Sequence, residues 1–163
     1  MIKPLFQKVL VAYDGSKESL QAALYGIIMA KTLKSQIKIV YVIDTATIKH
    51  LTLTKFLAAD EALSAEGALQ QDGERNLAYV AEFAKSKGVK IQTELRRGAV
   101  WSQIALCAED FKANVILLGG NINIKSATEH NVVGSNNREL INSAKCSVMV
   151  VREPYVEQLF KLA

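Results

Sequence analysis

"KVLVAYDGSKESLQAALYGIIMAKTLKSQIKIVYVID", residues 8–44, decides the fold. It starts with "KVLVAY" (8–13), whose near-continuous apolar content suits a strand covered on both faces. "DGS" (14–16) breaks that run with turn residues. Leu20, Leu24, Ile27 and Ile28 then recur at helical spacing up to about Leu33, and a second apolar run, "IKIVYVI" (37–43), follows. Strand, helix, strand is the repeating unit of a parallel sheet, because parallel neighbours need a crossover connection.

The unit recurs outward along the chain. "VILLG" (115–119) and "SVMVV" (147–151) read as further buried strands, while "VKIQTEL" (89–95) alternates, as an edge or half-exposed strand does. A helix is expected from about Ala65 to Lys87, with Leu69, Leu77, Val80 and Ala84 on one stripe and Gly88 as its stop; Gly67 and Gly73 weaken its front half. Another follows Gly98, burying Val100, Ile104, Ala108 and Phe111, with Trp101 packed near its start. The last is expected to begin at Ser135 as N-cap and to run to about Ala144. The pattern predicts an α/β fold with an open, doubly wound, parallel five-stranded sheet, in one domain spanning residues 1–163. Residues 46–64 form a long connection whose Leu51, Leu53, Phe56 and Leu57 are too apolar for a free linker, so a packed loop or a short extra helix is expected there.

Composition narrows the function. No apolar run approaches the roughly 20 residues of a membrane span, and no cleavable leader is evident, so a cytoplasmic location is the default. Twenty basic and sixteen acidic residues give a net charge of +4, but the basic ones are scattered and do not interleave with aromatics, which argues against nucleic acid as a partner. Cys107 and Cys146 read as small buried hydrophobes. His50 and His130 have no partner at ligand spacing, so no structural metal is expected. Arg96 and Arg97 read as surface charge, and Lys125, Ser126 and His130 as solvated loop residues.

In a doubly wound sheet, ligands bind beyond the carboxyl ends of the strands where the chain order reverses. "AYDGS" after strand 1, "VIDTA" after strand 2 and "GGNINI" after strand 4 fall at that end. Asp14 reads either as turn chemistry or as a carboxylate facing a ribose or base. Gly119 and Gly120 either end a strand or let backbone approach a ligand. A helix starting at Ser135 presents unpaired N–H groups and a positive dipole end to an anion.

With "KVLVAYDGS", "IKIVYVID", "ANVILLGG" and "VVGSNNRELINSAKCSVMVVRE" in place, the sequence resembles the universal stress proteins over nearly its whole length. The resemblance implies strand order 3-2-1-4-5 in a Rossmann-like, adenine-nucleotide alpha-hydrolase-like fold, a homodimer through the last strand (Cys146 to Val151), and binding of ATP or AMP, with or without magnesium. Carried over, Ala12, Tyr13 and Asp14 border the adenosine and Val42 contacts adenine. Gly119 takes the first glycine of the phosphate motif Gly-x2-Gly-x9-Gly-Ser/Thr and Gly134 with Ser135 the last pair, with Leu118, Gly120, Asn121 and Asn136 beside them. The sequence departs from that motif in the middle. Counting from Gly119 the second glycine is Ile122, and counting from Gly120 it is Asn123. Asn121 or Asn123 is the residue able to keep a left-handed turn.

Three functions follow from these residues: a dimeric, adenine-nucleotide-binding stress-response or signalling module; a dimeric adaptor of the same fold that binds no nucleotide; or a slow ATPase. No nucleophile, base and orienter can be assembled, so at most weak hydrolysis is expected. A phosphoacceptor receiver domain would need an acceptor Asp after strand 3 and a Lys after strand 5, where this chain has "RRGAV" and "VREPY".

Overall fold

The computed structural model describes residues 5–120 and 135–163, with Ser135 and Asn136 as backbone only. Along the chain run β1 (Lys8–Ala12), α1 (Lys17–Leu33), β2 (Gln36–Asp44), α2 (Thr45–Leu53), α3 (Ala59–Ser86), β3 (Ile91–Gly98), α4 (Val100–Phe111), β4 (Val115–Gly119), α5 (Ser135–Ser143), β5 (Ser147–Val151) and α6 (Val156–Leu162). The strands form one sheet in the order β3-β2-β1-β4-β5, parallel at every pairing. Among the described residues, no helix is long and apolar enough to cross a membrane.

Helices cover both faces, which is why the inner strands are mainly apolar. Val9, Val11, Ile37, Ile39 and Leu117 pack against Leu24 and Ile27 of α1, Leu77 and Val80 of α3, and Phe160 of α6. The intervening residues Leu10, Val40, Ile116 and Leu118 pack against Ile104 and Phe111 of α4 and Leu140 of α5. Each layer buries side chains from successive strand positions, so a one-residue slip would exchange the two sets.

Several boundaries differ from the sequence-based expectation. α3 starts at Ala59, six residues before the expected Ala65, because Asp60 and Glu61 in its first turn suit a helix N-terminus although its periodic stripe begins later. Gly73 does not weaken α3: a Cβ there would come 2.7 Å from Leu95 and 3.0 Å from Tyr41, so the missing side chain is what lets the helix lie close on the sheet. β3 is displaced toward the C-terminus, to Ile91–Gly98. Ser135 is the first residue of α5 and not its cap.

Two packing expectations need correcting. The long connection contains the short helix α2, yet α2 is held by Ile48, while Leu53 and Phe56 are 72% and 80% exposed. The C-terminal helix α6 folds back on its own chain, burying Val156 and Phe160 beside α1 and α3, with the Phe160 and Phe83 rings edge to face at 5.8 Å. Arg96 is not loose surface charge. It pairs with Glu94 and, at 2.8 Å, with Asp110, while Glu94 also takes Lys38 at 3.2 Å and the Cys107 thiol at 3.2 Å.

Candidate functional site

The chain leaves β1 toward β2 on one side, whereas β4 and β5 lie on the other, so the order reverses between β1 and β4. The helices that follow those strands diverge to opposite faces and leave a crevice at the carboxyl ends. Among the described residues it measures about 310 Å³. Ala12, Val40, Val42 and Leu118 line its strand side, Val100 and Ile104 of α4 and Leu69 of α3 line its walls, and Asp14, Asp44 and Asn137 supply polar groups.

Asp14 does two jobs. Its Oδ1 accepts from the Ser16 N–H at 2.9 Å and from the Ser19 hydroxyl at 2.7 Å, which ties β1 to the start of α1, where Ser16 is the N-cap. Burial pushes the Asp14 carboxyl up, but hydrogen bonds from Ser16 and Ser19 outweigh it and hold the group below the ordinary carboxylate value, so it is ionised at neutral pH. Among the described residues only Oδ1 is engaged, and Oδ2 is left to accept from a ligand. Tyr13 is buried in the layer under α1 and α3, edge to face with Tyr41 at 6.3 Å.

The two glycines that end β4 have a packing reason that the sequence does not reveal. A Cβ on Gly119 would lie 2.4 Å from the backbone carbon of Glu18 and 2.7 Å from the Ser19 nitrogen, so only glycine lets the first turn of α1 close over the strand end. On Gly120 it would meet Arg152 and Val150 at 2.9 Å, which places that residue against β5, and Gly120 does not line the crevice.

Ala12, Tyr13, Asp14, Val42, Leu118 and Gly119 therefore meet as expected. Ser135 and Asn136 form the start of α5 as backbone. Asn121, Gly134 and the loop residues Lys125, Ser126 and His130 lie outside the described residues. Sequence reasoning missed Asn137, whose Nδ2 donates to the Gly119 carbonyl at 3.4 Å and ties α5 to β4. It also missed Glu18 and Asp44 as lining residues. Asp44 caps α2 by accepting from the Thr47 N–H at 3.0 Å and the Thr47 hydroxyl at 2.7 Å, and the Asp-x-x-Thr spacing was the available signal. Among the described residues no histidine, lysine or arginine lines the crevice, and no cluster of His, Cys, Asp and Glu could hold a metal. The described walls suit holding a ligand with an apolar face and hydrogen-bond donors.

The sequence profile of the universal stress protein family matches residues 5–152. A universal stress protein of Methanocaldococcus jannaschii is 31% identical over 160 residues, 94% of this chain and 86% of the relative. Among solved structures, a member of that family from Burkholderia pseudomallei superposes with a TM-score of 0.70 at 19% identity, over 93% of this chain and all of the other. An Arabidopsis thaliana member with AMP bound gives 0.60 at 14% identity, over 91% and 93%. A universal stress protein in complex with cAMP gives 0.57 at 19% identity, over 90% and 97%.

Proposed function

The chain belongs to the universal stress protein family, and we propose that it binds an adenine nucleotide in the crevice and works as a homodimeric signalling module joined through β5. The observation that carries the reading is the meeting, at the switch point, of an apolar slot (Ala12, Val42, Leu118), the ionised Asp14 and the strand end to which Asn137 ties the first turn of α5. AMP in one structural neighbour and cAMP in another agree with that ligand class.

Val42 flanks the adenine, and Ala12, Tyr13 and Asp14 border the sugar, where Asp14 Oδ2 accepts from a ribose hydroxyl. The phosphate lies toward α5. The helices α1, α2, α4 and α5 all start beside the crevice. In α1 the Ser16 and Ser19 N–H groups are engaged by Asp14 and Ser16, and Glu18 stands in the first turn; α2 is capped by the Asp44 carboxylate. The first turns of α4 and α5 have no acidic residue, and α5 is the one that Asn137 ties to the end of β4. The dipole at the start of α5 and its first-turn backbone N–H groups therefore favour an anion there. Gly119 and Asn137 line the crevice at that corner. The apolar edge of β5 is an association surface unless it is paired.

Thermal melting with AMP tests the reading. Ligand at about 100 times its dissociation constant stabilises the fold by roughly 2.7 kcal/mol, which moves the melting point by several degrees. The shift is expected to vanish in Gly134→Val, whose branched side chain keeps phosphate from the backbone, while the unliganded melting point stays close to that of the wild type. Millimolar AMP that leaves the wild-type melt unmoved would instead favour the adaptor without nucleotide.

A further inference from the structure

Lysines that lie far apart in the sequence are gathered by the fold at the amino ends of the strands, the pole opposite the crevice, where α1, α3 and α6 finish. Lys31 of α1 donates to the Ala163 carbonyl just past α6 at 3.0 Å, and Lys87 at the end of α3 donates to the Lys161 carbonyl at 3.4 Å. Lys31, Lys34 and Lys90 share a groove with Ser35, Gln36 and Gln92 at the starts of β2 and β3, and no acid lines it among the described residues. Among the described residues Lys34, Lys85, Lys87, Lys90 and Lys161 have no ion-pair partner. At the end of α4, Glu109 and Asp110 are already paired, with Lys145 at 3.0 Å and Arg96 at 2.8 Å. Glu157, which borders Lys87 and Lys161 from one turn up α6, forms an ion pair with neither. Residues 1–4, "MIKP", lie outside the described residues and contain no acid. Apolar side chains stand among these lysines: Leu33 and Leu162 are 51% and 86% exposed, and Leu5, whose neighbour Phe6 accepts from the Ser35 hydroxyl, is 79% exposed. Lysines in the last turn of a helix offset its dipole. That explains neither Lys90, which precedes β3, nor leucines left in water.

We propose that this pole docks on an anionic lipid bilayer, with Leu33 and Leu162 entering the headgroup layer and the lysines around them meeting lipid phosphates. Exposed leucines ringed by unpaired cations match a surface that is negative outside and apolar just beneath. Lysine stems are long enough to keep the ammonium groups at headgroup level while the leucines sit deeper. A second copy presenting the same pole would set lysine against lysine. Nucleic acid would match the charge but would leave the leucines without an apolar partner. The crevice, at the carboxyl ends of the strands, faces away from the bilayer and stays open.

Flotation of the full chain with vesicles of phosphatidylcholine, alone or mixed with phosphatidylglycerol, tests the proposal. The wild type is expected to float with the mixed vesicles and not with the neutral ones, and to be released as salt is raised. Lys34→Glu combined with Lys90→Glu is expected to lower the affinity by more than about tenfold, because each lysine near an anionic surface contributes about fivefold. Leu33→Ser combined with Leu162→Ser is expected to lower it about tenfold with the salt dependence unchanged. All four side chains are exposed, so the melting points of both variants are expected to stay at the wild-type value. No flotation with the mixed vesicles, or equal flotation with both kinds, would overturn the proposal. So would wild-type binding by the leucine variant, which would leave only the general attraction of a basic protein. Duplex DNA that binds more tightly than the mixed vesicles and is lost in the lysine variant would reassign the pole to nucleic acid.

Discussion

The two edges of the sheet are built from opposite chemistry. β3 carries Glu94, Arg96 and Arg97 on an edge flanked by α2 and α3, and its charges are tied down: Glu94 to Lys38 and Arg96, Arg96 to Asp110, Arg97 to Glu66 at 3.8 Å. β5 reads "SVMVV", and its Val148, Met149 and Val150 stay only half-buried in the single chain. A charged edge resists pairing with another strand, whereas an apolar one invites it. The same sheet thus ends once in a blunted edge and once in an apolar edge, and the contrast supports the proposed self-association through β5.

The contrast would break most visibly through β5. Replacing Val148 and Val150, two positions on one face of the strand, with lysine is expected to convert a dimer into a monomer at micromolar concentration, and light scattering reads the change directly. Lysine at both positions places like charges against each other across the two-fold. A wild type that is already monomeric would refute the assignment of the edge.

A smaller effect is expected at β3. Glu94→Leu removes the acceptor shared by Lys38, Arg96 and the Cys107 thiol. The side chains are part-exposed and Arg96 keeps Asp110, so the loss is about 1 kcal/mol. That is a fall of about 3 °C in melting temperature, with the oligomeric state unchanged. Conversion of this variant to a monomer would show that the two edges are coupled.

The smallest effect concerns pH. Burial pushes the Glu94 carboxyl up, but hydrogen bonds from Arg96, Cys107 and Lys38 outweigh it and hold it at about 2, below the ordinary 4.5. A carboxyl depressed by folding adds stability above its unfolded value and loses it as pH falls through the folded value. Between about pH 4.5 and 2 the wild type is therefore expected to lose a fraction of a kcal/mol that Glu94→Leu does not lose, measured as the difference between their acid-melting curves.

Much of this was legible in the chain. β4 and β5 were read with their observed bounds, and β1 and β2 within one residue at each end, because strands buried on both faces leave an unbroken apolar run. Glu94 and Arg96 were not legible as a cluster. Lys38, Glu94, Cys107 and Asp110 lie on three different elements, and only the β2–β3 register and the packing of α4 bring them together. Phe56 and Phe160 show the same limit from the apolar side. Both are aromatic residues in plausible amphipathic segments, yet one is 80% exposed and the other 6%, because burial depends on what the rest of the fold places opposite a side chain.

At the crevice the division is similar. Asp14, Val42 and Gly119 could be named in advance because strand ends carry their turn chemistry locally, in "YDGS", "VID" and "LLGG". Why Gly119 must be glycine could not, since the atoms its Cβ would strike belong to Glu18 and Ser19, about a hundred residues earlier in the chain. The sequence by itself determined the alternation of strands and helices, and with it the parallel sheet and the end at which a ligand would sit, because periodicity and turn residues act over a few neighbours. Only the tertiary structure decided that Gly120 faces β5, that Asn137 reaches the end of β4, and that Glu18 stands over Gly119 without a partner among the described residues. Those facts depend on distances across the sheet, which residue order does not encode locally.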